Sequence, residues 1–169
     1  TCSKRAKEDY ESACGQSVDS LRIGIPKTYY FEGLETDVAD AIEEAKRELS
    51  RLGIVFVDID LPDQNEINLI WTISQSAEAA TIHKKWLQEC PQEYAPQVRR
   101  RIEIGLYQPA TRYLESLSLR SNFLESFCNS AFSEADVMLA PTSPIAAPRI
   151  DETDLGVADE MPDLIIRLS

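Results

Sequence analysis

The chain has 169 residues, 43% of them hydrophobic, and a formal net charge of −12. That length fits about one domain with a core of its own. The acidic balance argues against nucleic acid and an anionic membrane surface, which both need clustered basic groups, and no apolar stretch approaches the ~20 residues of a membrane span.

Residues 1–20 are polar and aperiodic, and read as an arm or linker without a secretory h-region. The chain does not begin with Met, so an excised or processed piece is expected. Cys2, Cys14, Cys90 and Cys128 show no C-x-x-C spacing, so no zinc knuckle, redox pair or other metal site is implied. Cys128, among apolar residues, reads as a small core hydrophobe, and the setting expected is reducing and cytoplasmic.

Leu21, Ile23 and Ile25 alternate with small or polar residues up to Pro26, a strand signal. Thr36 can cap a helix in which Val38, Ala41, Ile42, Ala45, Leu49 and Leu52 recur at helical spacing, with Gly53 where a left-handed residue ends it. Its charged face, from Asp40 to Arg51, reads as solvated. Ile54–Leu61 is a second strand, so residues 21–61 form a βαβ unit with parallel strands and a right-handed crossover. Asp58 and Asp60 face the same way. They suit a metal or acid–base chemistry less well than a strand end emerging into water.

Residues 64–133 are helical. One long helix spans 64–89, with Leu69, Ile73, Ser76, Ala80, His83 and Leu87 on one stripe. His83 is the sole histidine. On such a stripe a lone His is more often a hydrogen-bonded core residue than a catalyst. A short helix follows over 92–105, with the basic cluster Arg99, Arg100 and Arg101, which suits carboxylate pairing more than an anion clamp. From Pro109 to about Ser133 a further helix carries Tyr113, Leu117, Arg120, Leu124, Phe127 and Ala131 on one face. Arg120 interrupts that face, and there it must pair with an acid or meet a polar ligand.

Val137–Ala140 is short enough for a strand buried on both faces, and Pro141, Pro144 and Pro148 then stiffen the exit. In open α/β sheets ligands sit beyond the carboxyl ends of strands, so Thr142 and Ser143 either line a pocket or belong to a stiff loop. Residues 151–163 are acidic and irregular. Leu164–Leu168 is a bare apolar run, which reads as a cut end.

Several segments, in this order, resemble the amidase-signature hydrolases. LRIGIPK is similar to their L-R-I-G-V-P strand, and the helix leading into LGIVFVDIDLP to their next helix and strand. SAEAATIHKKW, YAPQVRRRIEIG, RYLESLSLRSNF and DVMLAPTSPIAAP resemble the x-A-E-A helix, Y-G-P-x-V-R-x-R-I-x-x-G, Y-x-x-A-x-x-x-R-x-x-L and P-T-x-P segments. Leu117 or Ser118 stands where Ala is usual. The match covers roughly residues 9–169. It implies part of an α/β/α fold, truncated, with a mixed central sheet and helices on both faces: an arm at 1–20 and a partial domain at 21–169, made of the βαβ unit, the helical segment, a strand and pocket loop at 136–150 and an acidic tail at 151–169.

The resemblance implies amide hydrolysis by a Ser–cis-Ser–Lys triad through an acyl-enzyme, without a cofactor. The Gly/Ser-rich signature that carries the serines is absent from this span, and Lys27 lacks a serine context, so no catalytic residue is assigned. Pocket candidates are Thr142, Ser143 and Ile145 on the proline segment, Arg120 as a carboxylate grip, and His83 and Trp86 from the x-A-E-A helix. The expected partner is a small-molecule amide, and an uncovered sheet face together with the Leu164–Leu168 run implies a homodimer or an exchange of helices between copies. Two alternatives are a glutaminase like the glutamine-hydrolysing component of glutamyl-tRNA amidotransferase and a non-catalytic binding module on the same scaffold. EAATIHKKW differs from that component's S-S-N-L-x-R-Y-D-G, which favours the free-standing amidase.

Overall fold

The computed structural model describes residues 9–149, so the acidic stretch 151–169 with its Leu164–Leu168 run lies outside them. Within the expected arm there is one helical turn, α1 (Tyr10–Ala13), capped by Asp9, whose carboxylate accepts the Ser12 N–H at 3.2 Å. Strand β1 (Arg22–Pro26), helix α2 (Thr36–Arg51) and strand β2 (Val55–Ile59) form the βαβ unit, with β1 and β2 parallel and Ile23 opposite Phe56. Glu35, not Thr36, holds the cap position of α2, and its side chain does not cap the helix. The Glu35 carboxylate instead accepts the Ala146 N–H at 3.2 Å, while its own N–H donates to the Pro144 carbonyl at 2.9 Å. Past α2, Gly53 takes φ +83°, the left-handed turn that its sequence position implies. The outer face of α2 is laced by Lys46–Glu43, Arg47–Glu44 and Arg51–Glu48 pairs, as a solvated face should be.

Helix α3 (Gln64–Glu89) starts at Asp63, which accepts the Asn65 N–H at 2.9 Å. The single helix expected over 92–105 is instead α4 (Pro96–Glu103) between two 3-10 turns, Pro91–Glu93 and Ile104–Tyr107. Pro96 is the reason: the residue before a proline is held out of the helical region, and Ala95 sits at ψ 138°. Helix α5 (Ala110–Ala131) and the two-residue strand β3 (Val137–Met138) follow.

The described sheet has the order β2-β1-β3, and its three strands are parallel. Among the described residues β3 is an edge strand, and Val137 is exposed instead of buried on both faces. Parallel register puts Gly24, Pro26, Val57, Ile59 and Met138 on one face. That face meets the end of α5, where Ile59, Ala131 and Ala135 form the buried core with Phe127 and Leu61 against them. A side chain on Gly24 would lie 2.9 Å from Ile59 Cδ1 and 3.0 Å from Ala135 Cβ, so glycine is required for α5 to approach. The opposite face carries Ile23, Ile25 and Phe56. A βαβ crossover packs back on its sheet, and Val38, Ile42, Ala45 and Leu49 of α2 are half-buried.

Helices α3 and α5 run antiparallel: Ser74 meets Ser116, and the Tyr113 hydroxyl donates to Glu78 one turn on. The residues that α3 buries are Gln64, Ser74, Ser76, Ala80 and Leu87, and α5 buries Ser116 and Ala131. The α3 stripe is found as expected, with Ser76, Ala80 and Leu87 buried, Ile73 and His83 half-buried and only Leu69 exposed. On α5, by contrast, Leu117, Arg120 and Leu124 are exposed and the buried face is rotated toward Ser116. Small residues set the contact because they let the helix axes approach, and Leu69, Leu117 and Leu124 are left outside. Cys128 is likewise exposed, not a core hydrophobe. No helix of the described residues is long and apolar enough to cross a membrane.

Candidate functional site

The chain segments leaving β1 and β2 converge on the first half of α3, as expected at the carboxyl ends of parallel strands. Tyr30 follows β1, and its hydroxyl donates to Gln64 Oε1 at 3.0 Å. Gln64 is held in turn, its amide donating to the Pro62 carbonyl at 2.7 Å. Burial, followed by a smaller contribution from Tyr29, pushes the Tyr30 phenol above its ordinary pKa. The phenol therefore stays protonated at neutral pH, and its one hydrogen is committed to Gln64. Tyr29 sits at φ +69°, a region unusual for a bulky residue, with its N–H on Glu32 Oε1 at 2.8 Å and its hydroxyl accepting from Asn68. This local conformation presents Tyr29 and Tyr30 to two neighbouring grooves.

The first groove, about 460 Å³, lies between α3 and α5. Trp71, Phe123 and Phe127 contribute aromatic surface, Tyr30 and Gln64 polar surface, and Arg120 and Glu78 the charges. Arg120 is exposed and makes no ion pair with another described residue, so neither the buried pairing nor the apolar burial expected from its stripe is found. The second groove shares Asn68, Trp71 and Gln75 with the first and is bounded by Arg101 and Ile104.

At the first groove, which Ser74 lines, the Ser74 and Ser116 hydroxyls meet at 2.9 Å, and Ser116 also donates to the Tyr113 carbonyl at 2.7 Å. These serines tie helices together. No lysine borders the groove to activate one as a nucleophile.

Of the six sequence candidates, only Arg120 lines this groove. His83 and Trp86 lie at the far end of α3. His83 Nδ1 is 2.8 Å from the Tyr94 hydroxyl, and its ring is edge-on to Trp86 and to Tyr94. The antiparallel pairing puts Arg120 beyond Ser116, opposite the start of α3, whereas Trp86 is about 18 Å of helix past Ser74. These residues are not brought together by the described fold. Ile145 is buried, Thr142 is exposed, and the Ser143 hydroxyl closes on its own segment, donating to the Ile145 carbonyl at 2.9 Å and accepting the Ile145 N–H at 3.2 Å. Residues 144–146 lie on the start of α2 through the two Glu35 bonds, again at the carboxyl end of the sheet. Tyr30, Gln64, Trp71 and Phe123 were not singled out from sequence. The usable signal was Ser116, a small residue one position off the assumed stripe that marks the true contact line.

The family model described as Amidase matches residues 1–167. The chain belongs to the amidase family. An amidase of Pseudomonas putida is 32% identical over 85% of this chain and 30% of its own length. The A-type component of the glutamyl-tRNA(Gln) amidotransferase of Nitrosomonas eutropha is 31% identical over 90% of this chain and 36% of its own. A crystal structure of an amidase superposes with a TM-score of 0.71 at 26% identity, covering 80% of this chain and 31% of that one. The chain thus spans about a third of the length of the relatives it matches. The amidase fold accounts for the α/β layering described above.

Proposed function

We propose that this chain forms one wall of the substrate pocket of an amide hydrolase, with Arg120 meeting the substrate. The Ser–cis-Ser–Lys residues that would form and hydrolyse the acyl-enzyme lie outside these 169 residues. The observation that carries this reading is a guanidinium with no ionic partner among the described residues, opening into an aromatic groove beside the strand ends of an amidase fold. The role of the described residues is binding and orientation: Tyr30, fixed by Gln64, and Arg120 set where the ligand's polar ends lie. Amide turnover is expected from the longer protein carrying this sequence and not from the 169-residue chain alone. In the longer protein, Arg120→Ala should raise KM for amides bearing a carboxylate by about tenfold or more, and leave neutral amides near their original value. An equal rise for both would make Arg120 structural.

A second reading, a glutaminase component of a tRNA-dependent amidotransferase, is favoured by the similarity to the Nitrosomonas eutropha protein. Co-purification of the longer protein with a different polypeptide of that enzyme would support it, and full glutamine turnover by the isolated protein would count against it.

A further inference from the structure

We infer that Glu35 is a positioning residue, a clasp that holds the segment Pro141–Ile145 in the shape in which Thr142 meets a ligand. This rests on the amide-hydrolase reading and deepens it by naming what orders the loop after β3. Strands β1 and β3 are paired and parallel, so their exit loops leave the sheet side by side. The Leu139 N–H, donating to the Gly24 carbonyl at 3.0 Å, anchors the start of the second loop. Glu35 then ties the two loops together: its N–H donates to the Pro144 carbonyl at 2.9 Å, and its carboxylate accepts the Ala146 N–H at 3.2 Å. These bonds straddle Ile145, which is buried. The Ser143 hydroxyl is committed to Ile145 within the segment. Thr142, between the anchor and the clasp, is exposed, and its hydroxyl has no hydrogen-bond partner among the described residues.

The residue type argues for a clasp rather than a helix cap. Glu35 holds the cap position of α2, where Asp, Asn, Ser or Thr would accept an N–H of the first turn, yet its side chain makes no such bond. The extra methylene of glutamate carries the carboxylate past the helix to a residue 111 positions away. A local stabilisation is forgone for a long-range bond, the pattern expected where the site and not the helix sets the residue. Pro141, Pro144 and Pro148 leave the segment few N–H groups by which it can be fixed, and the Ala146 N–H is one of them. A loop ordered before its ligand arrives binds without the entropic cost of being fixed at that moment.

The test uses the longer protein carrying this sequence. Hydrogen exchange is followed over residues 142–147, and kinetics on whichever of acetamide, benzamide, 4-nitroacetanilide and glutamine is turned over fastest. Glu35→Asp shortens the arm by about 1.5 Å, out of reach of Ala146, while improving the cap of α2. It should leave Tm at or above wild type, speed exchange over 142–147 about tenfold and raise KM about tenfold, with kcat within about twofold. Glu35→Gln keeps a carbonyl acceptor at full length, and should restore slow exchange and bring KM to within about threefold of wild type. A purely structural role would instead lower Tm and apparent kcat together and leave KM alone, because unfolded enzyme is lost from the count of active molecules. Unchanged exchange or KM in Glu35→Asp, or a Glu35→Gln protein as impaired as Glu35→Asp, would overturn the inference. The parent reading fails separately: no turnover of any of these amides by the wild-type protein would remove the hydrolase and the ligand role of the clasp with it. Turnover with a KM indifferent to Glu35→Asp would sink the clasp and leave the hydrolase standing.

Discussion

Arg22 and Asp136 join the two ends of the described chain. The guanidinium donates to both carboxylate oxygens, at 3.0 and 3.3 Å, and the Arg22 N–H adds a third bond at 2.9 Å. These bonds, led by the guanidinium and followed by the backbone N–H, hold the Asp136 carboxyl below the usual carboxylate range. A carboxyl with a lowered folded pKa contributes stability that is present above its unfolded value of about 3.9 and is lost as pH falls through the folded value. Asp136→Asn should therefore lower the urea midpoint at neutral pH, and the gap from wild type should close as the pH drops below about 4. A gap that stays constant into acid would mean the pair is not what stabilises this junction. Asp136 was legible only as the start of an apolar run, because a salt bridge across 114 residues leaves no local pattern. Gly53 and Pro26 were legible because their constraint is local: each fixes its own backbone.

At the scale of elements, both long helices were read correctly in extent, α3 also in the face it buries, while α5 was read incorrectly in rotation. Periodicity locates a helix well, since it sums over many residues. The facing side of α5 is decided by a small residue, Ser116, whose weight in a hydrophobic pattern is slight, whereas Ser76 and Ala80 of α3 lie on the expected stripe. Gly105 shows the same logic at the 3-10 turn after α4. A methyl group there would sit 1.8 Å from the Ser76 carbonyl oxygen and 2.7 Å from Ala80 Cβ, against helix backbone that cannot yield as a side-chain tip can. Gly105→Ala should destabilise the chain by about 1–3 kcal/mol, lowering Tm by roughly 2–12 °C. Thermal unfolding followed by circular dichroism measures this, and an unchanged Tm would mean the turn can lift off α3 at little cost. The groove was only partly legible for the same reason. Arg120 stood out as a charge in an apolar stripe, but Tyr30 and Gln64 reach it from separate strand ends, a juxtaposition that only the folded sheet creates.

For the whole molecule, the described surface leaves Leu69, Trp71, Ile82, Leu114 and Leu124 of the helical layer exposed together with Ile104 and Tyr107. Scattered apolar residues are ordinary, whereas several on one pair of helices are a surface that associates. The pure chain should form a homodimer or exchange helices between copies, with light scattering giving about twice the monomer mass of 19.0 kDa. A single species at the monomer mass across a wide concentration range would contradict this. The α/β class was legible from the βαβ unit, and so was the family, whose segments recur in order. The all-parallel described sheet was not, because pairing direction beyond the crossover depends on which strands come to lie side by side.

That β1 pairs with β2 on one side and β3 on the other sets a timetable for a ribosome. The βαβ half can close as soon as Ile59 leaves the exit tunnel, whereas the other edge of β1 waits for Val137, its partner in the register. At synthesis rates of about 5–20 residues per second, Arg22 stays without Asp136 for roughly 6–23 seconds. During that interval β1 is an open edge, so a nascent chain stalled between α3 and β3 is the form on which a chaperone would have the most to hold.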